Sequence, residues 1–253
     1  MQPVIAAAGI DAQTVRSAKL TCLHLCAALT PSGFFTVLRH PLSATGDFLG
    51  IIDQGGIIRS PEVFAASACS LAQSRGCRGI LADFQRPALA ETVAALDQCA
   101  VRLHLSCTIP LALISYAPNS CCLVDTAISG GSLERRLTQL IEQYGKHRLV
   151  IQLVRSCAGF SIPCADANGT PLLPSDVDLL CQTYDTVPFF SRELCAKYFT
   201  YTDNGQPHFV LFDDRETLHA KRELLHALGL EQQILVFPDA ALLGLLSPEK
   251  RAP

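Results

Sequence analysis

The strongest constraint on the fold is a series of short, almost uninterrupted apolar segments separated by helical patterns. They read "PVIAAAGI", "LTCLHLCAAL", "FLGIID", "GILADF", "VRLHLSCTI", "CCLVDTAI", "RLVIQLV", "HFVLF" and "QILVF". A strand with one wet face alternates apolar and polar residues, whereas a strand covered on both faces does not, so these segments predict a parallel sheet under helices. The stretches between them carry that cover. Phe64, Ala68 and Leu71 recur at i, i+4 and i+7, as do Leu89, Val93 and Leu96, while Leu133, Leu137, Leu140, Ile141 and Tyr144 form a longer stripe. The helix starts are marked as well: Ser60 before Pro61 predicts an N-cap and first helical residue, and Asp213 with Glu216 three residues on resembles a capping box. Roughly eight strand–helix alternations predict an α/β fold of the (β/α)8 TIM barrel type, with a doubly wound open sheet as the alternative.

Two segments break the rhythm. "TPSGFFTVLRHPLSATGDFLG" and "FFSRELCAKYFTYTDNGQPHFVLFDD" read as hairpin-bearing excursions, the second with "DNG" between aromatic-rich runs. With no repeat, low-complexity tract or linker, residues 1–253 are expected to form a single domain.

Composition narrows the function classes. Hydrophobic residues make up 49% and charged residues 17%, enough for a large core, and a net charge of −3 with no basic stripe argues against a nucleic-acid partner. "MQPVIAAAGIDAQ" has neither a cationic leader nor the length of a membrane span, which predicts a cytoplasmic protein with no membrane partner. The twelve cysteines sit largely inside apolar segments of a long chain and are expected to be reduced, mostly buried thiols. Cys22, His24 and Cys26 have ligand chemistry, but no second close-set pair completes a four-ligand set, so they read as core and no metal or other cofactor is expected.

In a barrel, chemistry sits at the C-terminal ends of strands. That rule selects Asp53 and Gln54, Asp83 and Gln85, Ser129 with Gly130 and Gly131, Arg155, and Asp213 or Asp214. Asp83 and Gln85 stand two apart, which on one strand face would bring two polar groups together at a cost unless they bond to each other, to water or to a ligand. A satisfied polar pair, with Asp83 bonded to backbone or to Arg155, competes with a retained ligand site. Asp213 and Asp214 read more naturally as helix caps. "SGGSLERR" could cradle a phosphate at a helix start, which keeps a phosphate-binding barrel enzyme as a minor alternative, and no Ser-His-Asp arrangement emerges.

At Gly79, Ile80, Asp83 and Phe84 the chain resembles the fourth-strand signature of family 18 glycoside hydrolases, the chitinase-like barrels, whose pattern is D-x-x-D-x-D-x-E. "YFTYTDNGQPHFVLFDDRETLHAKRELLHALGL" resembles the bacterial spore-envelope and cell-wall branch, in which a hairpin leads to an acidic strand end, a helix carrying a lysine, and the last barrel strand. "FLGIIDQGG" is similar to the third strand with its Gly-Gly. In the four motif positions this chain has Arg78, Leu81, Asp83 and Gln85.

The resemblance implies that the last position supplies the acid that protonates the glycosidic oxygen, while the aspartate two residues earlier orients the acetamido group of the substrate. Gln85 is close in shape to glutamic acid but cannot transfer a proton near neutral pH. The tryptophan platform expected after the eighth strand is absent, since the chain contains no tryptophan, and Phe237 with Pro238 stands there; the Tyr-Asp pair expected after strand six is also missing from "DTAISGG". Phe84, Tyr198, Phe199, Tyr201 and Phe237 are the aromatics that could stack on a sugar or, more simply, be core. The resemblance thus implies a catalytically impaired chitinase-like protein in a bacterial sporulation setting, binding an N-acetylated glycan through Asp83, Gln85, Asp53, Arg155, Asp213 and Phe237. The alternative is an active glycosidase whose acid is Asp213, Asp53 or Asp125.

Overall fold

The computed structural model describes residues 2–31, 35–37, 45–164 and 169–246. In chain order the elements are β1 (Val4–Ala7), α1 (Asp11–Ser17), β2 (Cys22–Leu29), β3 (Phe35–Val37), β4 (Phe48–Asp53), α2 (Pro61–Ser74), β5 (Gly79–Asp83), α3 (Ala90–Arg102), β6 (Ser106–Pro110), β7 (Cys121–Asp125), α4 (Leu133–Tyr144) and β8 (Leu149–Leu153). They continue with β9 (Cys157–Ser161), β10 (Thr170–Pro171), α5 (Pro174–Thr183), β11 (Phe189–Ser191), β12 (Ala196–Asp203), β13 (Gln206–Phe212), α6 (Arg215–Ala227), β14 (Gln233–Val236) and α7 (Phe237–Leu242).

Eight strands close into a parallel barrel. Neighbours run β1-β14-β8-β7-β6-β5-β4-β2, and β2 pairs back onto β1 through Ile5↔Cys22 and Ala7↔His24. The (β/α)8 class expected from the apolar segments is therefore the one formed, and closure removes the open-sheet alternative. Ala6, Leu23, Leu81, Leu123, Val150 and Ile234, from six different strands, form one cluster. Six strands of a closed ring can meet in this way only across its interior, so these residues fix which face of each strand points inward. The opposite faces, such as Leu49 and Ile51 of β4 or Ile109 of β6, are fully buried as well, because helices cover the outside. Phe64 and Ala68 of α2 and Val93 and Leu96 of α3 belong to that cover, as their spacing predicts.

The chain packs as two compact units: Met1–Val124 with Tyr144–Gln152 and Leu230–Pro253, and Asp125–Gln143 with Leu153–Gly229. The second contains a five-stranded antiparallel sheet in the order β10-β9-β13-β12-β11. Its β12–β13 hairpin turns at Asn204 and Gly205, both with positive φ (48° and 79°), between the paired Asp203 and Gln206. Only a two-residue turn of mirror-image type places both central residues there, which is the conformation "DNG" encodes.

Three boundaries differ from the sequence expectation. "HFVLF" lies in β13 and not in the barrel; Leu211 packs on Phe160 and Ala196 at one face of the antiparallel sheet and Val210 on Val177 and Phe199 at the other, so a doubly covered sheet again removes the polar alternation. "VRLHLSCTI" is split, since Val101 and Arg102 finish α3 and the strand begins at Ser106. In "DDRE" the cap is Asp214: its Oδ1 accepts from Thr217 N at 3.0 Å, and Thr217 Oγ1 accepts from Asp214 N at 2.9 Å. Of the first excursion, β3 pairs antiparallel with β2, and residues 32–34 and 38–44 lie outside the described residues.

Candidate functional site

Asp83 is the last residue of β5 and lies two residues beyond Leu81, which points into the barrel; its side chain therefore emerges at the C-terminal mouth. The strand stops there because Phe84 N donates back to Ala82 O at 2.9 Å, a three-residue turn centred on Asp83. Gln85 consequently does not share a strand face with Asp83, as simple alternation would have it. The turn nonetheless brings the two together: Gln85 Nε2 donates to Asp83 Oδ1 at 3.2 Å, with Gln85 exposed and Asp83 half-buried. Phe84, between them, is fully buried and packs 6.0 Å from the Phe64 ring, so it is core and not a sugar platform.

The loop carrying Gln85 is fastened by its neighbour. Arg86 donates through Nε to Asp53 Oδ2 at 2.5 Å, and through Nη2 to Asp53 Oδ1 at 2.7 Å and to Gly56 O at 2.6 Å. Asp53 Oδ1 also accepts from Gly55 N at 2.9 Å. Gly56 must be glycine, because a Cβ would come within 2.2 Å of Thr30 O. The Arg86 fork is the main cause that holds the Asp53 carboxyl below the usual carboxylate range, with partial burial opposing it. Asp53 thus closes a clamp between the loops after β4 and β5, and as the last residue of β4 it shares the outward face of Leu49 and Ile51, not the mouth.

Asp213 lies in the second unit with its side chain fully buried. Its Oδ2 accepts from Lys221 Nζ at 2.6 Å and from Ser156 N at 2.7 Å, and the Lys221 side chain is 1% exposed. Asp214, besides capping α6, receives Lys197 Nζ at 2.6 Å, and Lys197 also reaches Glu216 at 2.7 Å. Asp125 ends β7 on the inward face of Leu123, is exposed, and accepts from Ala127 N at 3.0 Å. Arg155 is exposed between β8 and β9, and Phe237 is partly buried where β14 passes into α7. Tyr201 stacks between Tyr184 (4.3 Å) and His208 (4.7 Å), Phe199 is fully buried, and Tyr198 packs on Phe189 and Phe209. Ser129, Gly130 and Gly131 form an exposed bend ahead of α4, where the first helical N–H groups already have partners: Leu133 N bonds to Glu193 O and Arg135 N to Ser132 Oγ.

His24 has a partner of its own. Its Nε2 lies 2.8 Å from Asp47 Oδ2, and Asp47 Oδ1 accepts from Cys22 N at 3.0 Å, so the imidazole and carboxylate satisfy each other beneath the barrel. Burial pushes the Cys22 thiol up to about 12 and the Cys26 thiol up to about 11, the wrong direction for thiolate ligands. Among the described residues no group of three His, Cys, Asp or Glu could hold a metal ion, eight of the twelve cysteines are buried, and no helix is long and apolar enough to cross a membrane.

Comparison with protein-family models and with curated protein sequences gives no match. Solved structures do match. The spore cortex-lytic enzyme SleL of Bacillus megaterium aligns over 99% of this chain and 75% of its own, at 14% identity and a TM-score of 0.62. The C-terminal domain of a putative chitinase from Desulfitobacterium hafniense aligns over 97% and 98%, at 14% identity and a TM-score of 0.63. The fold is that of the chitinase-type barrels. A glutamate-to-glutamine mutant of the class V chitinase from Nicotiana tobaccum, solved in complex with NAG4, shares it over 92% of both chains at 13% identity and a TM-score of 0.58.

Three residues of this chain escape a reading of strand ends alone. Arg86 could have been found as the cation next to Gln85, facing an acid at the end of the preceding strand. Lys221, inside an amphipathic helix, carries no local mark of burial. Gln152 lies two residues beyond Val150 on the inward face of β8, a polar residue hidden within the apolar run "RLVIQLV".

Proposed function

We propose that this chitinase-type barrel holds an N-acetylated glycan at the C-terminal end of β5 without hydrolysing it. The observation that carries the proposal is the Gln85 Nε2 to Asp83 Oδ1 hydrogen bond of 3.2 Å at the mouth. An acid at this place would both bond to Asp83 and deliver a proton; an amide does only the first, and general acid catalysis contributes typically ~10²–10⁴-fold. Asp83 keeps the carboxylate that can accept from an acetamido N–H, while Gln85 Oε1 remains an acceptor. The tobacco chitinase complex supports the chemical premise, since that protein carries glutamine in place of a glutamate and is solved with NAG4. Chitooligosaccharides are therefore the first ligands to test, and the spore cortex-lytic neighbours add muropeptides and a sporulating bacterium as the setting. Eight cysteines buried inside the core support a reducing, cytoplasmic environment.

Calorimetric titration should show binding of chitooligosaccharides by the unmodified chain, with no released product by chromatography. Gln85→Glu should gain hydrolysis, and Asp83→Ala should lose binding. Product release by the unmodified protein would overturn the proposal. In that event Asp125 is the first carboxylate to replace, because Asp53 and Asp213 are held at 2.5–2.6 Å by Arg86 and Lys221, whereas Asp125 is exposed at a strand end and its ion pair with Arg136 is long, at 3.7 Å. A Asp125→Asn variant that abolished such release would identify the acid.

A further inference from the structure

The outer surface of the barrel carries a groove of about 320 Å³ between α2 and α3, lined by Glu62 and Ala65 of α2 and by Glu91, Ala94, Ala95, Gln98 and Arg102 of α3. Along α3 the stripe Glu91, Ala95, Gln98, Arg102 has spacings of four, three and four residues. That sequence of spacings reads the same in both directions. When two such helices pack antiparallel about a two-fold axis, Glu91 lies opposite the partner's Arg102, and Ala95 opposite the partner's Gln98. Both ends of the stripe then bring opposite charges together, and the middle sets a small side chain against a long one, the arrangement close helix packing requires. Glu62, at the groove's acidic end, gives the partner's Arg102 a second carboxylate.

We infer that this groove is the interface of a two-fold symmetric dimer of the chain, each α3 lying in the α2–α3 groove of the other copy. Charge placement selects a second copy as the occupant: the groove is acidic at the starts of α2 and α3 and basic at the end of α3, and the segment that complements this pattern is α3 itself, reversed. Glu62, Glu91 and Arg102 form no salt bridge among the described residues, so their charges are available to a partner. Two large apolar side chains stand at the same ends, Val63 at 65% and Val101 at 50% exposure, next in sequence to Glu62 and Arg102. Helices of 13 and 14 residues offer about 20 Å of contact length each, and two per subunit suit a modest, reversible interface.

Sedimentation velocity and light scattering on the full chain over a dilution series test this. A concentration-dependent dimer is expected, and Arg102→Glu, which sets like charges against each other at both ends, should raise the dimer dissociation constant by about tenfold or more. The swap Glu91→Arg with Arg102→Glu should restore most of the lost association. Both positions are exposed, and circular dichroism checks that the variants keep their fold. A chain that stays monomeric throughout, a dimer indifferent to Arg102→Glu, or a swap that restores nothing would each overturn the inference.

Discussion

Asp83 and Asp213 are both acids at the end of a strand, one half-buried and one buried, and they differ in how much the protein asks of them. Asp213 is sealed away with Lys221 on one oxygen and a backbone N–H beside it. Asp83 is half-buried at the end of β5, with the Gln85 side-chain amide as its partner. A buried carboxylate left without its cation costs the fold several kcal/mol, whereas a partly exposed carboxylate at a strand end is hydrated without one and so is free to meet a ligand. Position at a strand end is shared; commitment of the charge separates scaffold from candidate site.

The largest effect should come from breaking the committed pair. Lys221→Met leaves the Asp213 carboxylate buried without its cation and should cost about 3–5 kcal/mol in denaturant unfolding. Adding Asp213→Asn to it should recover part of that loss, because the two changes are coupled. Full tolerance of Lys221→Met would show that the Asp213 charge needs no partner and that the two acids do not differ in this way.

Asp53 sharpens the comparison as an intermediate case, a strand-end acid clamped by Arg86 with only partial burial. Its folded pKa is depressed, so its contribution is present above the unfolded value of about 3.9 and is lost as pH falls through the lower folded value. Asp53→Asn should therefore melt below the unmodified chain at neutral pH, and the gap between the two melting temperatures should close in acid. A gap independent of pH would show that the clamp acts through shape and not charge. The smallest stability effect is expected at Asp83 itself: Asp83→Asn should leave unfolding within about 0.5 kcal/mol of the parent while weakening chitooligosaccharide binding in titration.

These contrasts were only partly visible in the sequence. The barrel was legible because covering both faces of a sheet demands apolar residues at every position, a signal spread over more than forty residues. The "DNG" turn was legible because positive φ at two successive positions admits few residue types. "HFVLF" misled because an antiparallel sheet with packing on both faces obeys the same rule as a barrel strand. The cap at Asp214 and the burial of Asp213 could not be told apart, since both are aspartates at a strand–helix junction and the deciding partner, Lys221, is eight residues away on a helix face. The clamp between Asp53 and Arg86 spans thirty-three residues and depends on strand adjacency that only the folded barrel supplies.

The buried thiols lead to a different kind of consequence. Burial pushes Cys22 and Cys107 of the barrel up to about 12 and raises Cys195 of the second unit, which keeps these sulfurs protonated and inaccessible in the native state. They become reactive only when their surroundings open. The chain therefore carries its own clocks: the rate at which a mild alkylating reagent marks each buried cysteine, read by peptide mass, times the opening of each unit separately and without an added label.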